Sequence, residues 1–517
     1  MMNTYTIGVD IGGTNTDAVL VRQDTAIHAT TKVTTTDSID TGFTQALKNL
    51  LEQTSLLPSQ ISGVFVGTTH GTNAILQCED LFRVGTIRIT GSHSTLLPSC
   101  SGWPQNLKTA IHAGIHTISG GFECDGRKTA PIDRQEVYNA VNSLIDAGAE
   151  SIAIVGTFSP INHEQELEVA THIASICTIP TSLSHQLGGI GFFERENSTI
   201  LNAALKKSMS HGFAALQTSL EQLGMTCPLY VTQNNGTLLS LEEALAFPVL
   251  TISAGPTNSF VGSTKLANVS DAIVADIGGT STDVGIVHNG FARRSLHTSS
   301  IGGIMLNFPM PDVLSIGLGG GSHLKQNTHD IEVGPMSCGK RLKQQAYAFG
   351  GNTLTLTDAA LLLQNVTIAG ADTSRIPMAR QDAKAFLDKA QDAIQTLAKK
   401  IAGPHGQLPL LLTGGASALF KHTVLAEQAI IPEFADVANA YGAALAEISG
   451  TIDTVVCLEK REAIIESLIK QATEQAIARG AAPNNIRVVE QEIVPYHYMP
   501  MKMARVKITV AGQRHTF

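Results

Sequence analysis

A short motif that occurs twice constrains the fold of this 517-residue chain more than any other feature. Residues 10–17 read DIGGTNTD and residues 276–283 read DIGGTSTD, and the match extends to Val21 and Val287 with 8 identities over 12 positions. Each copy lies between two short apolar runs, which predicts a β-hairpin with the glycines at its tip. Because a tight turn requires neither the threonines nor the aspartates, the repetition indicates a shared chemical task.

The chemistry of the motif suits an anionic ligand that carries a metal ion. Two adjacent glycines permit positive φ angles and bring backbone N–H groups close to the space beyond the turn, which suits phosphate oxygens. The threonines add hydroxyl donors, and Asp10 and Asp276 at the strand ends are suitable ligands for a hydrated Mg²⁺. The phosphate-facing residues are Gly12, Gly13, Thr14 and Thr16 in the first copy and Gly278, Gly279, Thr280 and Thr282 in the second.

A third glycine element occurs late in the chain. Residues 410–417 read LLLTGGAS, an apolar strand that ends in Gly414 and Gly415 and is followed by small residues. A flat base and ribose fit against backbone at such a place. Two phosphate hairpins followed by this element resemble the signature of the actin-like and sugar-kinase ATPase superfamily. The resemblance implies an α/β chain with the two-lobed actin-like (RNase H-like) fold, in which ATP lies in the cleft between the lobes.

The composition predicts an ordinary globular protein. With 43% hydrophobic and 15% charged residues, the chain is long enough for about three domains. A net charge of −9 gives no electrostatic footprint for nucleic acid or an anionic membrane. The seven cysteines form no C-x-x-C pair, and neither a long apolar run nor a signal-peptide pattern occurs. We therefore expect reduced thiols, no membrane span and a cytoplasmic location.

Patterning divides the chain into three predicted parts: an N-terminal lobe over residues 1–195, a C-terminal lobe over residues 196–450 and a small α+β appendage over residues 451–517. Alternating strand and helix signals predict a partly parallel sheet covered by helices. Residues 194–224 keep a helical spacing of apolar side chains, which predicts a connecting helix. Residues 435–448 are predicted to form the helix after the last glycine element.

Residues 84–130 contain many Gly, Ser and His residues, and we predict an irregular insertion or a flap that faces the substrate. His93, His112 and His116 raise the alternative of a metal site, but the H-E-x-x-H context and a well-spaced carboxylate are missing, so we expect none. The Gly/Thr turn at residues 67–74 is either a second edge that favours anions or an ordinary strand-to-helix turn.

Several short sequence motifs, taken in this order, resemble those of the ATP-utilising (hydantoinase A-type) subunit of the hydantoinase/oxoprolinase family. They are GTT and TNA within 67–74, NHE at 162–164, LSH at 183–185, LNA at 201–203, PVLTISAGP at 248–256, the second hairpin, SIGLGGGS at 315–322, VGP at 333–335, LTDA at 356–359 and DVANA at 436–440. The resemblance implies ATP-dependent opening of a cyclic amide such as a hydantoin or 5-oxoproline. It also implies phosphorylation of the amide carbonyl oxygen, attack of water at the carbon and a second large subunit of the hydantoinase B type.

Carried over position by position, the resemblance implies that the hairpins hold the phosphates and that Asp10 holds the Mg²⁺. Asp276 is expected to polarise the acceptor or to hold a metal-bound water, which makes both aspartates catalytic candidates. Thr68, Thr69 and Asn73 are substrate candidates. The nucleotide-binding candidates are Gly12, Gly13, Thr14, Asn15, Gly278, Gly279, Thr280, Ser281, Gly319, Gly320, Gly414, Gly415 and Ala416.

Other functions stay open at this stage. Within enzymes, the alternatives are a small-molecule kinase and an ATP-dependent carboxylase subunit of the same superfamily; outside enzymes, a nucleotide switch. The scattered cysteines argue against an activator with an iron–sulfur cluster. Residues 339–347 read GKRLKQQAY where the family has a Pro-Gly-Pro-Ala-Cys-Tyr-Gly run, a departure that bears on substrate and partner more than on ATP. A homo-oligomer also stays open.

Overall fold

The computed structural model describes residues 5–22, 25–35, 39–90, 97–295, 299–308, 310–326, 331–403, 408–496 and 502–514. Its strands, in chain order, are β1 Tyr5–Ile11, β2 Asn15–Arg22, β3 Ile27–Thr34, β4 Ile61–Thr68, β5 Val84–Ile89, β6 His112–Ile118, β7 Ser151–Gly156, β8 Thr181–Leu183, β9 Leu229–Thr232, β10 Thr237–Ser240, β11 Ala272–Ile277, β12 Thr282–His288, β13 Phe291–Ala292, β14 Ser299–Ile301, β15 Ile304–Leu306, β16 Val313–Ile316, β17 Ser322–Gln326, β18 Ile331–Ser337, β19 Leu410–Thr413, β20 Ala429–Ile430, β21 Glu447–Cys457, β22 Arg487–Pro495 and β23 Met503–Gly512.

The α-helices lie between these strands. They are α1 Ile39–Thr54, α2 His70–Gln77, α3 Gln105–Ile111, α4 Arg134–Asp146, α5 Glu164–Ile176, α6 Phe192–Gln222, α7 Leu241–Ala246, α8 Ala254–Leu266, α9 Leu342–Gln345, α10 Leu356–Leu362, α11 Arg380–Ala402, α12 Val424–Glu427, α13 Ala438–Ala444 and α14 Arg461–Ala478. None of the helices in the described part of the chain combines the length and the apolarity that a membrane crossing requires.

The first copy of the motif lies in a sheet of nine described strands, which we call the first sheet. Its strand order is β22-β23-β21-β10-β9-β4-β1-β2-β3. β1 and β2 form the predicted hairpin, here the first hairpin, in which Asp10 lies opposite Asp17. β4 pairs in parallel with β1 and places Gly67 opposite Asp10. The apolar face of α1, with Phe43 and Leu47, packs against this sheet, as the helical spacing predicts.

The second copy lies in a separate sheet, the second sheet, with the order β13-β12-β11-β19-β20 and β16 paired to β12. β11 and β12 form the second hairpin, and Asp276 lies opposite Asp283 in the same register as the first copy. β19 pairs in parallel with β11 and ends beside Asp276. The late glycine element therefore reaches the base of the second hairpin.

The prediction of an irregular insertion over residues 84–130 is wrong where β5, α3 and β6 form. β5 and β6 join β7 and β8 in a parallel sheet, here the third sheet, with the order β6-β5-β7-β8, and all six residues of β5 are buried. The glycines that gave the segment an irregular pattern permit close packing. A Cβ on Gly85 would lie 2.9 Å from Leu144 of α4, and a Cβ on Gly114 would lie 3.2 Å from the same side chain.

The C-terminal residues extend the first sheet. β21 pairs with β10 and with β23, so that strands from the predicted second lobe and the predicted appendage complete the sheet that begins at residue 5. α14 packs on β21 and β23, with Leu468, Ala472 and Ala476 buried. The three-part division of the chain stays a prediction about folding units, but strand pairing crosses both of its boundaries.

Two helices of small residues, α8 and α13, pack between the two hairpin sheets. A Cβ on Gly262 would lie 1.9 Å from the Ala438 carbonyl oxygen, and one on Gly442 would lie 2.0 Å from the Asn258 carbonyl oxygen. α13 packs on β1 and β2, whereas α8 packs on β11 and β12. α13 is shorter than the helix predicted over residues 435–448, because β21 begins at Glu447. The helix predicted over residues 194–224 is confirmed as α6.

Candidate active site

The two hairpins close in the same way and leave their tips open. The Gly12 N–H donates to the Asn15 carbonyl oxygen at 3.1 Å, and the Gly278 N–H donates to the Ser281 carbonyl oxygen at 2.9 Å. A Cβ on Gly13, or on its counterpart at position 279, would meet nothing within 4 Å. Open space thus lies in front of both glycine tips, where an anionic ligand can approach the backbone.

A cavity of about 190 Å³, here the first cavity, lies between the hairpins. It brings together most of the residues predicted for the nucleotide. The predicted residues that line it are Asp10, Gly12, Gly13, Thr14, Asn15, Asp276, Gly278, Gly279, Gly414 and Gly415, and the residues that sequence reasoning did not assign are Asp17, Lys32, Ser259, Ala435, Asp436, Ala438 and Asn439. Both halves of the duplicated motif therefore contribute to one site.

The carboxylates of the first cavity repel one another. Burial raises the pKa of Asp10 well above its usual range, and Asp17 and Asp276 raise it further, while Lys32 opposes them. Burial also raises the pKa of Asp276, to about 6. Three buried oxygen atoms of residues that line this cavity, Oδ1 of Asp10, Oγ of Ser259 and Oδ1 of Asn439, have no hydrogen-bond partner in the protein, and a fourth, Oδ1 of Asp17, has only its ion pair with Lys32. Buried oxygens without donors favour a bound cation or a hydrogen-bonding ligand.

The donor set fits Mg²⁺. Among the residues that the structure describes, no group of three His, Cys, Asp or Glu side chains is close enough to hold a metal ion alone. Mg²⁺ is commonly held by one or two carboxylates, with phosphate oxygens and water completing its octahedron. Asp10 and Asp276 meet that requirement together with a phosphate-bearing ligand.

Lys32 of β3 is a functional candidate that sequence reasoning missed. Its Nζ lies 3.1 Å from Asp17 Oδ1 and donates to the Asp436 carbonyl oxygen at 3.4 Å. It therefore joins the first sheet to the segment that follows β20 and brings a positive charge to the cavity. Lys32 lies directly opposite Asp17 in the register of β2 and β3. This register could have identified Lys32, but it is known only from the structure.

Gly414 fixes the base of the second hairpin. Its φ angle is +85°, and a Cβ there would lie 2.2 Å from Asp276 Oδ1. Ala416, predicted to bound the nucleoside, lies behind the hairpin instead: it is buried, and its N–H donates to the Ile277 carbonyl oxygen at 2.9 Å. The late glycine element therefore contacts Asp276 and also forms part of the wall of the first cavity.

Gly319 and Gly320, predicted to bind the nucleotide, brace the second hairpin from outside the first cavity. The Gly320 N–H donates to the Gly278 carbonyl oxygen at 3.0 Å, and a Cβ on Gly319 would lie 2.6 Å from that oxygen. The dense glycines therefore permit two backbone segments to touch. Thr280 lies exposed at the hairpin tip, outside the residues that line the first cavity.

A larger cavity of about 560 Å³, the second cavity, lies on the other side of the second hairpin. Two of the predicted substrate residues, Thr68 and Thr69, line it together with Ser281 and Asp283. The third, Asn73, does not line it; its Nδ2 donates to Thr69 Oγ1 at 3.4 Å. The remaining described residues that line the second cavity are mostly hydroxyl-bearing or apolar. They are Thr72, Leu76, Ser253, Gly255, Pro256, Ser295, Ser300, Met310, Pro311, Asp312, Val313 and Ser315.

The two described histidines that were considered for a metal, His112 and His116, line neither cavity. His112 and His116 are in β6, at the edge of the third sheet, and the His116 ring lies 2.9 Å from the Ser143 hydroxyl. Burial lowers the pKa of His112, and Lys108 and Arg83 lower it further. His93 lies outside the described residues.

This chain is similar to known proteins over much of its length. A family model described as Hydantoinase/oxoprolinase matches residues 195–404, and one described as Hydantoinase/oxoprolinase N-terminal region matches residues 6–177. The chain is 28% identical to the acetophenone carboxylase gamma subunit of Aromatoleum aromaticum over 81% of this chain and 59% of that one. It is 25% identical to the caprolactamase subunit alpha of Pseudomonas jessenii over 78% of this chain and 59% of that one. This chain thus spans about three fifths of the length of these relatives.

The fold matches over a larger share. The crystal structure of the ATP-dependent caprolactamase from Pseudomonas jessenii superposes with a TM-score of 0.79 at 19% identity, over 99% of this chain and 88% of that one. The predicted α/β class and its arrangement in two lobes are thereby confirmed. With both family models matched in order along the chain, this protein belongs to the hydantoinase/oxoprolinase family.

Proposed function

We propose that this chain binds ATP with Mg²⁺ in the first cavity and uses it to open a cyclic amide bound in the second. The observation that supports this proposal is that one hairpin serves both cavities. Gly278 and Gly279 line the first cavity, whereas Ser281 and Asp283 of the same hairpin line the second. A phosphoryl donor and its acceptor on the two sides of one turn are within reach of transfer, which depends mostly on positioning and charge.

The nucleotide side uses backbone and charge. Bound Mg·ATP supplies the phosphoryl group and neutralises charge on the phosphate oxygens. The amides at the tips of both hairpins hold the phosphates, and Lys32 adds a cation. Asp10, whose Oδ1 has no protein partner, holds the metal. Asp276 orients the acceptor, or a water molecule next to it, through a carboxylate that Gly414 keeps in place.

The acceptor side uses hydroxyl groups. Thr68 lies opposite Ile11 at the end of the first hairpin's strand, and the Thr69 N–H donates to the Ile11 carbonyl oxygen at 3.3 Å. These two threonines therefore stand between the cavities. In this proposal the lactam carbonyl oxygen attacks the γ-phosphorus of ATP, and ADP leaves. Water then adds at the activated ring carbon, and the ring C–N bond breaks with a proton passing to the nitrogen, which leaves an acyl phosphate. A second water hydrolyses the acyl phosphate to phosphate and the ring-opened acid.

A second large subunit completes the reaction in this proposal. The relatives named above are subunits of larger enzymes. The second cavity opens among residues of both hairpin sheets, so an activated substrate can pass from it to a partner. We propose that hydrolysis of the activated ring takes place with that partner.

The carboxylase alternative rests on one specific observation, the 28% identity with the acetophenone carboxylase gamma subunit. In that case the acceptor is the enol oxygen of a ketone or bicarbonate, and ATP turnover requires both. A lactam-dependent turnover without bicarbonate argues for the amidohydrolase, and the reverse argues for the carboxylase.

The test measures Mg²⁺-dependent phosphate release from ATP, with this chain alone and with a candidate partner subunit. Hydantoins, 5-oxoproline, other lactams, and ketones with bicarbonate serve as acceptors. We expect one acceptor class to stimulate release, and we expect Asp10→Asn and Asp276→Asn to abolish it. Asp271→Asn, at the exposed entry of the same strand as Asp276, is the matched control and keeps full activity. Tight ATP binding without stimulation by any acceptor contradicts the proposal and favours the nucleotide switch.

A further inference from the structure

A third cavity, of about 350 Å³, lies apart from the two described above and shares no lining residue with them. Its lining includes the segment after β8 with His185 and Gln186, strands β21 and β23 of the first sheet, and Arg294 after β13, together with residues of the β9–β10 region and of α14. Its volume is in the range of small-molecule sites. No role in the proposed reaction falls to it.

Positive charge exceeds negative charge around this cavity. Arg294 and Lys507 both pair with the carboxylate of Glu490, Lys507 at 3.5 Å. The other lining cation, Arg479, pairs with Glu243, and the lining carboxylate Asp453 pairs with Arg505, whose Nε donates at 2.8 Å. Three cations (Arg294, Arg479 and Lys507) and one carboxylate (Asp453) line the cavity, and Arg294 and Lys507 share a single carboxylate partner, Glu490.

Lys507 is the cation with the least solvent. Its side chain is 8% exposed, and it shares Glu490 with Arg294. Burial lowers the pKa of Lys507 to about 8, Arg294 lowers it further, and Glu490 raises it. The Lys507 ammonium group shares its only described ion-pair partner, Glu490, with Arg294. A further anion close to this buried ammonium group would therefore stabilise its charge.

Apolar side chains also line the cavity, next to several amide side chains. The apolar ones are Leu187, Leu239, Phe247, Leu250 and Phe308. The His185 ring is fixed by Glu166, whose Oε2 lies 2.6 Å from Nδ1. A ligand that fills this space therefore needs an anionic end and an apolar body.

We propose that the third cavity binds a small monocarboxylate that carries an apolar chain or ring. Its carboxylate lies against Lys507 and Arg294, and its apolar part lies against Phe247 and Leu250. This site is independent of the proposed ATP chemistry, because its residues touch neither hairpin cavity.

Isothermal titration calorimetry of the full chain with hexanoate tests the site. Hexanamide serves as the uncharged analogue, and inorganic phosphate serves as an anion that has no apolar part. We expect saturable binding of hexanoate and binding of hexanamide weaker by about tenfold or more, because a charge-assisted hydrogen bond is lost. Hexanamide binding as tight as hexanoate, or phosphate binding without hexanoate binding, overturns the proposal.

Two variants locate the binding. Lys507→Met removes the buried cation, and Gln186→Trp places a large side chain at an exposed lining position without changing the charge. Each is expected to weaken hexanoate binding by about tenfold or more. Arg487→Gln, whose guanidinium pairs with Glu447 outside the cavity, is the control and leaves it unchanged. Thermal unfolding checks the fold of Lys507→Met, and if that variant does not fold, Gln186→Trp decides. Unchanged affinity in the folded variants excludes this cavity as the site.

Discussion

The carboxyl group of Asp276 raises the pKa of Asp10, which comes from the other copy of the duplicated motif. Two residues 266 positions apart in the chain (276 − 10) thus share one electrostatic environment. Within the described part of the chain, neither carboxylate forms an ion pair with an arginine or a lysine, and Lys32 pairs with Asp17. A free protein that concentrates buried carboxylates in this way stores repulsion that a cation relieves on binding.

The pH dependence of stability should follow Asp276. Its pKa is about 6 in the folded chain against an ordinary 3.8. The folded state therefore binds the proton more tightly, and the stability that this provides is complete below about pH 3.8 and is lost as the pH rises through about 6. We expect Asp276→Asn to equal the wild type near pH 4 and to exceed it by about 3 kcal/mol at pH 7, in the absence of Mg²⁺ and nucleotide. Urea unfolding at both pH values measures it, and a difference that does not change with pH contradicts it.

Substitution of Gly414 should disturb the site through a steric clash. A Cβ at this position would lie 2.2 Å from Asp276 Oδ1 and 2.6 Å from the Ile277 carbonyl oxygen. We expect Gly414→Ala to lower the free energy of unfolding by about 3 kcal/mol and to weaken binding of an ATP analogue. Gly370→Ala is the matched control, because its φ of +83° is nearly the same and nothing lies within 4 Å of its Cβ. It should cost only the backbone strain, about 1 kcal/mol. Equal losses in the two variants rule out the clash.

Removal of the Lys32 charge should affect ligand binding more than stability. The side chain is 35% exposed, so its ion pair with Asp17 contributes less than about 1 kcal/mol to folding. In contrast, a cation that faces phosphates is worth about tenfold or more in affinity. We expect Lys32→Met to weaken binding of an ATP analogue by that factor, as measured by calorimetry. Lys128→Met removes a comparably exposed pair with Glu164 and should leave binding unchanged. If Lys32→Met binds as well as Lys128→Met, the cation has no role in the site.

The contact between α8 and α13 should depend on glycine. A Cβ on Gly262 would lie 1.9 Å from the Ala438 carbonyl oxygen, so the two helices must separate to accept it. We expect Gly262→Ala to lower the free energy of unfolding by about 3 kcal/mol or more. Gly255→Ala in the same helix meets its nearest atom at 3.6 Å and should be neutral or slightly stabilising, because alanine favours helix. Thermal unfolding of the two variants compares them directly, and similar melting temperatures would show that the helices are not in tight contact.

The two hairpins could be predicted because their information is local. Each needs a glycine pair between two apolar runs, and the register that places Asp10 opposite Asp17 follows from the turn itself. Long helices were equally accessible: the helix predicted over residues 194–224 is α6, Phe192–Gln222. The ten predicted nucleotide-site and catalytic residues that line the first cavity all belong to the two hairpins or to the late glycine element.

The third sheet could not be predicted from local pattern. β5 and β6 contain Gly85, Gly114 and several histidines, which weaken a strand signal. They form strands because parallel pairing with β7 and packing of Leu144 against the two glycines outweigh local propensity. The same applies to Gly319, which lies in a run of glycines and was predicted to bind the nucleotide. In the structure, its lack of a side chain permits a close backbone contact with Gly278.

The sequence alone determined that this chain carries two copies of one anion-binding turn and a third glycine element, since turn chemistry acts over a few residues. Only the tertiary structure decided which residues share the cleft. Lys32 joins Asp436, and β21 joins β10, through contacts between segments more than 200 residues apart, whose pairing depends on the packing of the whole chain. Local propensity does not predict such pairing. The free energy of the pairing comes from burial and hydrogen bonds that form only when distant segments of the chain come together.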